Sequence, residues 1–293
     1  LAVAEPTATA GLKIVRTVAD LRAQVRDWKA SGERVALIPT MGALHQGHLS
    51  LIELGQTVAQ RTVASVFVNP KQFAPHEDFD SYPRGEARDA ELLASVGCDL
   101  MFAPNVTEMY APGFSTTVNL TGVSEPLEGA ARPLFFGGVA TVVTKLLLQS
   151  QADVAIFGEK DYQQLQVIKR VVRDLDLPVE ILGAPTARAE DGLALSSRNA
   201  YLSPEERAAA VALPMAMQAA ARAVAAGGRI DEAEIAGQAA LTAAGFRQVD
   251  YFEVREASDL SRLGPGPIGE AAGRILIAAW LGKTRLIDNM AVG

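Results

Sequence analysis

Apolar residues recur along the first half of the chain with two alternating periods. Across residues 17–31, Val18, Leu21, Val25 and Trp28 fall at helical spacing, and Thr17 with Asp20 forms a capping pair at the start. Residues 34–38 form a short apolar run and read as a buried strand. Residues 48–59 read as a helix and the β-branched run 62–68 as a second strand. A polar loop with several prolines continues to Pro83. Residues 86–96 then read as helix, 100–103 as a short strand, 138–148 as an apolar helix and 154–157 as a strand. Across 161–175 Leu165, Ile168, Val171, Val172 and Leu175 define an inward helix face, and 179–182 closes the series as one more strand.

Strand and helix alternate, and the strands are apolar nearly throughout. Strands of that kind are buried on both faces, which predicts a parallel sheet between two helix layers: a doubly wound α/β fold with ligands at the carboxyl ends of its strands. After about Asn199 the pattern changes. Ser203-Pro204-Glu205-Glu206 is a helix start, with a Ser cap, a Pro in the first turn and a Glu completing the box. An Ala-rich helix is expected from there to about Ala226 and another over 231–244, with strands at 251–254, 275–281 and 286–287. This predicts a smaller C-terminal α+β domain. The junction is expected near residues 185–187, dividing the chain into 1–186 and 187–293.

Composition narrows the function classes. With 27 basic and 34 acidic residues the net charge is −7, and no Lys/Arg block stands out. The chain therefore lacks the basic footprint that long nucleic acid requires. Its 49% hydrophobic content supports a large core. Cys98 is the single cysteine, so no intrachain disulfide is possible and a cytoplasmic location is expected. The thiol reads as structural. Residues 1–10 lack the basic start of a signal peptide, and the apolar runs are too short to span a bilayer.

Four segments carry candidate chemistry. His45-Gln46-Gly47-His48 lies between a strand and a helix. Backbone N–H groups there favour an anion, Gly42 and Gly47 permit close approach, and two imidazoles three apart can donate to phosphate oxygens. Two surface histidines on a loop would be the bland alternative, and a metal pair a weaker one, with His76 the only other histidine. The Lys-Ser/Thr ending of a P-loop is absent. Gly158-Glu159-Lys160-Asp161-Tyr162-Gln163-Gln164 follows another strand. Lys160 and Gln164, four apart, share a helix face and offer a cation and an amide; for Glu159 and Asp161 a structural role is as well supported as a functional one. Leu195-Ser196-Ser197-Arg198-Asn199 offers hydroxyls and a guanidinium suited to phosphate, although Ser-rich loops with one Arg are also common in proteins that bind no nucleotide. In Val68-Asn69-Pro70-Lys71-Gln72-Phe73 the Asn69 and Gln72 amides can read the hydroxyl and carboxylate of a small acid, but on the residues alone a turn with polar side chains is the preferred reading. Arg132 can hold an anion or pair with Glu128, and the structural role is preferred.

In this order the segments resemble the pantothenate synthetase family, which has a Rossmann-like nucleotidyltransferase fold with a His-x-Gly-His motif. Tyr82-Pro83-Arg84 and Arg285-Leu286-Ile287-Asp288-Asn289 also match it. The resemblance implies ATP-dependent condensation of (R)-pantoate with β-alanine through a pantoyl-adenylate, with AMP and pyrophosphate released. It implies an ATP site made by Met41, Gly42, Ala43, Leu44, His45, Gln46, Gly47 and His48, with Gly158, Glu159, Lys160, Asp161, Ala187, Leu195, Ser196, Ser197 and Arg198. Gln72 and Gln164 would hold pantoate, and Gln72 would also touch β-alanine. His48, His45, Lys160 and Arg198 would be catalytic. Mg²⁺ with no named protein ligand, a homodimer, and residues 187–293 acting as a lid complete the expectation; no nucleic acid or membrane partner is expected. One position departs from the family: Phe135 stands where a His is common in the Arg-Pro-x-His-Phe segment. Two other functions remain possible at this stage, a nucleotidyltransferase with a phosphate-bearing acceptor and a non-catalytic nucleotide binder; uncharged Gln72 and Gln164 argue against the first, and the filled catalytic positions against the second.

Overall fold

A computed structural model describes residues 12–74 and 79–292; His76 and the 1–10 segment lie outside the described residues. The strands are β1 (Lys13–Val15), β2 (Val35–Thr40), β3 (Arg61–Val66), β4 (Leu100–Phe102), β5 (Val154–Gly158), β6 (Glu180–Ala184), β7 (Gln248–Glu256), β8 (Gly273–Leu281) and β9 (Thr284–Val292). The helices are α1 (Val18–Ala30), α2 (Gln46–Val58), α3 (Glu86–Ser95), α4 (Val106–Met109), α5 (Glu128–Ala131), α6 (Phe135–Ser150), α7 (Tyr162–Asp174), α8 (Pro204–Ala209), α9 (Ala212–Ala225) and α10 (Ile230–Ala243).

The chain forms two compact units. One takes in Leu1–Leu120, Arg132–Gly158 and Val167–Ala184; the other takes in Thr121–Ala131, Glu159–Gln166 and Pro185–Gly293. The first is built on a six-stranded sheet in the order β1-β4-β3-β2-β5-β6, every neighbouring pair parallel. On β2, Ala36 and Ile38 enter one core cluster with Leu51 and Ile52 of α2. The intervening Val35 and Leu37 are fully buried as well, and by the strand's two-residue period they face the opposite layer, where α6 lies against β2 and α1 against α6. Burial on both faces is why these strands read as continuous apolar runs. The doubly wound expectation is met.

The second unit carries the antiparallel sheet β7-β8-β9, with α9 against β9 and α10 against β7 and α9. Leu213, Met217, Leu241, Phe252, Ile275 and Ile277 lie in its core. The helix expected without a break to about Ala226 is interrupted at residues 210–211. Pro214 explains this: it has no N–H to offer the Ala210 carbonyl, which is taken instead by Leu213 N at 3.0 Å. The Ser203 cap and its Glu206 box form as expected. By length and composition residues Pro204–Ala225 could cross a membrane, but the apolar face of α9 is spent on this core.

Other differences are local. β1, α4 and α5 are too short to show a period. β7 and β9 run to nine residues each, well beyond 251–254 and 286–287: polar residues flank the apolar centre of β7, and Asp288-Asn289 interrupts the apolar run of β9. Leu175, expected inward, is 50% exposed beyond the end of α7.

Candidate active site

β2 and β5 are hydrogen-bonded neighbours, with Ala36 paired to Val154 and Leu37 to Ala155. β3 and β4 lie on one side of this pair and β6 on the other, so the strand order reverses between them, where doubly wound sheets bind ligands. Four residues on from the Ala36–Val154 pair, the two strands end at Thr40 and Gly158. The Met41–His48 segment leaves one end and the Glu159–Asp161 turn the other.

The first segment has an unusual backbone. Gly42 and Ala43 both have positive φ, 81° and 52°. At Gly42 a Cβ would lie 2.9 Å from Asp89 Oδ2 and 3.1 Å from Val66 Cγ1, so neither the conformation nor the space admits a side chain. Ala43 takes the left-handed conformation with its Cβ in place, at a cost of about 1–2 kcal/mol. Asp89 of α3 compensates: its carboxylate accepts from Ala43 N (3.0 Å) and Leu44 N (2.8 Å). The side chain is 2% exposed. Burial raises its carboxyl above the usual range, while the two N–H groups pull it down.

His45 is the N-cap of α2, and the helix begins two residues earlier than expected. His45 Nδ1 accepts from Gly47 N (3.1 Å), and His48 Nδ1 accepts from His45 N (3.3 Å). This is a capping box made of two imidazoles, with ring centroids 4.2 Å apart. A neutral imidazole that accepts at Nδ1 carries its proton at Nε2. The hydrogen bonds that start the helix thus define two Nε2–H donors at a helix N-terminus whose first turn holds no acidic residue, a setting suited to an anion. Gln46 is exposed, Gly47 half-buried and Leu44 buried.

Gln72 joins this set within the same unit. It closes a 3-10 turn, Pro70–Gln72, capped by Asn69. Asn69 Nδ2 donates to Gln72 Oε1 (2.9 Å) and to the Gly138 carbonyl (3.2 Å), and the Tyr110 hydroxyl donates to Asn69 Oδ1 (2.7 Å). The amide is thereby oriented with Nε2 toward Met41 Sδ at 3.1 Å. A thioether is a weak acceptor, readily replaced by a ligand oxygen. Gly138 of α6 allows the close packing, since a Cβ there would lie 2.2 Å from the Lys71 carbonyl oxygen. Arg132 donates to the Gln72 carbonyl (3.2 Å) and lies 3.8 Å from the centroid of Phe135, so the Phe at the departed position supplies a ring face to a guanidinium.

The remaining predicted residues belong to the second unit, apart from Gly158 at the end of β5. Glu159, Lys160 and Asp161 form a 3-10 turn, so Lys160 precedes α7 and does not share a regular helix face with Gln164. Adjacent glutamines on α7 differ: Gln163 is 4% exposed and is bound to the Val123 and Pro126 carbonyls and the Glu128 N–H, whereas Gln164 is half-buried. Ala187 and Leu195 are brought together by a tight hairpin that the sequence did not announce. Leu195 N donates to the Ala187 carbonyl (2.9 Å), Arg188 pairs with Ala194 and Gly192 turns the tip with φ 87°. Ser196 then caps the 3-10 turn Ser197–Tyr201 by accepting from Arg198 N.

Asp89 escaped sequence reasoning. The available signal was an Asp one helical turn before Leu93, on the inward face of α3. Cys98 is buried, and its thiol is pushed up to about 11 by burial, which fits a structural role. Among the described residues no group of three or more His, Cys, Asp or Glu stands together as a metal cage.

The Pantoate-beta-alanine ligase family model matches residues 13–291. A pantothenate synthetase of Caulobacter vibrioides is 79% identical over 280 residues, 96% of this chain and 98% of the relative. One of Paramagnetospirillum magneticum is 58% identical over 95% of this chain and 97% of its own. Among solved structures, a pantothenate synthetase from Thermus thermophilus superposes with a TM-score of 0.89 at 48% identity, covering 96% of this chain and 99% of that one. The pantoate-beta-alanine ligase of Francisella tularensis, complexed with beta-gamma ATP and beta-alanine, gives 0.80 at 30% identity, with coverages of 96% and 97%.

Proposed function

The chain belongs to the pantoate-beta-alanine ligase family, and from that premise we propose how its own residues carry the family's reaction. The enzyme condenses pantoate with β-alanine at the expense of ATP, through a pantoyl-adenylate. Adenylation is needed because a free carboxylate would have to expel oxide. The pantoate carboxylate attacks the α-phosphorus, and the bond to pyrophosphate breaks. The neutral amine of β-alanine then attacks the acyl carbon, AMP leaves with the bonding pair, and the amine's proton is lost to solvent.

We assign Met41, Gly42, Ala43, Leu44, His45, Gln46, Gly47, His48, Gly158, Glu159, Lys160, Asp161, Ala187, Leu195, Ser196, Ser197 and Arg198 to ATP. Gln72 and Gln164 are assigned to pantoate, with Gln72 also reaching β-alanine. His48, Lys160 and Arg198, helped by His45, stabilise the charge that moves onto the departing oxygens. The observation that carries this assignment is the imidazole capping box at the end of β2, which places two histidines at an anion-favouring helix start with their Nδ1 atoms committed to the cap. Magnesium would enter with its substrate as Mg–ATP, bound largely by the phosphates.

The test is pantoate-dependent ATP–pyrophosphate exchange. Removing one preset donor commonly costs about a hundredfold or more in rate, so His48→Ala and Lys160→Ala should each lower exchange by that order. Near-normal exchange in both removes them from the mechanism. We further propose a cytoplasmic homodimer in which residues 187–293 act as a lid over the labile adenylate. Sedimentation tests the dimer, and limited proteolysis with and without ATP plus pantoate tests the lid, which requires altered cleavage near residues 185–187.

A further inference from the structure

Two neighbouring polar residues on β9 are almost completely buried: Asp288 is 3% exposed and Asn289 is 2% exposed. Such residues are depleted from strand interiors, and a buried polar side chain must be fully hydrogen-bonded. Their partners are specific. Asn289 Nδ2 donates to two successive carbonyls, those of Glu159 and Lys160, each at 2.8 Å. One amide group can reach both only when the two carbonyls turn the same way, as they do in the 3-10 turn Glu159–Asp161. Asn289 Oδ1 accepts from Arg274 Nε at 2.6 Å, and Arg274 donates in turn to Glu159 Oε2 at 3.1 Å while lying 3.7 Å from the Tyr162 ring centroid. The turn is therefore gripped by backbone and side chain from the same strand pair.

Asp288 does the parallel work on the other loop. It accepts both terminal nitrogens of Arg188, at 2.7 and 2.9 Å. Arg188 also donates to the Gly192 carbonyl (3.0 Å) and the Asn289 carbonyl (3.1 Å). Arg188 stands in the hairpin that sets Ala187 against Leu195 and delivers Ser196, Ser197 and Arg198. The carboxylate is itself held in place by Asn289 N, which donates to Asp288 Oδ1 at 2.7 Å.

We propose that Asn289 is a positioning residue for Lys160, and that Asp288, through Arg188, positions the Ser196–Arg198 segment. β9 is thus the common brace for both phosphate-directed segments of this unit. This rests on the assignment of Lys160 to phosphate. Without the clamp, the lysine's backbone is free to leave the 3-10 turn, and its ammonium spends less time where charge develops. Small misplacements of that kind cost rate more than they cost binding.

The experiment measures exchange, KM for ATP and thermal unfolding for Asn289→Ala, for Lys160→Ala and for the double variant. Asn289→Asp is measured in parallel; it keeps the acceptor for Arg274 and loses both donors. Positioning requires that Asn289→Ala lower kcat of exchange roughly ten- to a hundredfold with a smaller change in KM, and that the folded fraction at assay temperature stay intact. In the Lys160→Ala background the same change should lower exchange by less than about twofold, because residues acting as a unit are not additive. Full multiplication of the two losses, or a loss explained by unfolding in both Asn289 variants, overturns the inference. Normal exchange in Asn289→Ala with Lys160→Ala inactive overturns it alone. Normal exchange in Lys160→Ala overturns the assignment of Lys160 and this inference with it.

Discussion

The segment after β2 and the turn after β5 follow neighbouring parallel strands, yet they are held by different means. Met41–His48 is shaped mainly from within. Two positive φ angles, a glycine with no room for a Cβ and two imidazole caps define it, with Asp89 holding its backbone from α3. Glu159–Asp161 has an ordinary backbone and is set from outside by Asn289 and Arg274, more than a hundred residues later in the chain. A self-shaped turn tolerates changes elsewhere and fails when its own residues change. An externally braced turn behaves in the opposite way.

That contrast can be broken or sharpened by substitution. The largest effect is expected for Asp288→Ala, which leaves the Arg188 guanidinium without its carboxylate. Breaking such a pair is strongly destabilising, and with Arg188 a quarter exposed the loss should be about 3 kcal/mol in urea unfolding. Asp89→Ala comes next. It strands two amide N–H groups and should cost about 2 kcal/mol together with a loss of exchange; retention of both would mean that the segment needs no outside partner at all. Gly42→Ala should cost about 1–2 kcal/mol from the left-handed conformation alone, with the approach of its Cβ to Asp89 Oδ2 at 2.9 Å adding to that. Ala43→Gly removes that conformational cost at the next residue and should leave stability unchanged or raise it by about 0.5–1 kcal/mol, with exchange retained. The smallest effect is a pH trend. The Asp89 carboxyl is raised from 3.8 by burial, so the folded state holds its proton more tightly than the unfolded one. The associated stability is full below 3.8 and is lost as pH rises through the folded value. Stability of wild type relative to Asp89→Asn across the carboxylate titration range should show that slope; an opposite slope would mean that the Ala43 and Leu44 N–H groups outweigh burial.

The same contrast explains what the sequence made legible. The doubly wound sheet was readable because its strands are buried on both faces and its helices carry a clear period. The His45–His48 segment was readable because the candidate site residues also supply the cap, the glycine and the junction. Asp89 was not readable as a partner, since an Asp among the charged residues of α3 looks like any solvated helix position until the fold turns it inward. β9 was expected to be two residues long because Asp288 and Asn289 have poor strand propensity. Propensity failed there for a physical reason: the two side chains are buried in a strand because they satisfy loops that carry candidate site residues. The hairpin joining Ala187 to Leu195 was hidden for the same reason, its pairing being fixed by Arg188 reaching β9 and not by an apolar pattern of its own.

The brace on β9 also has a consequence for how the molecule is made. A ribosome delivers residues in order, and Asn289 lies 130 positions beyond Glu159 and Asp288 lies 100 beyond Arg188. A growing chain therefore exposes both loops long before their fastener exists. Both loops take their final hold in a single late event, when β9 docks beside β8.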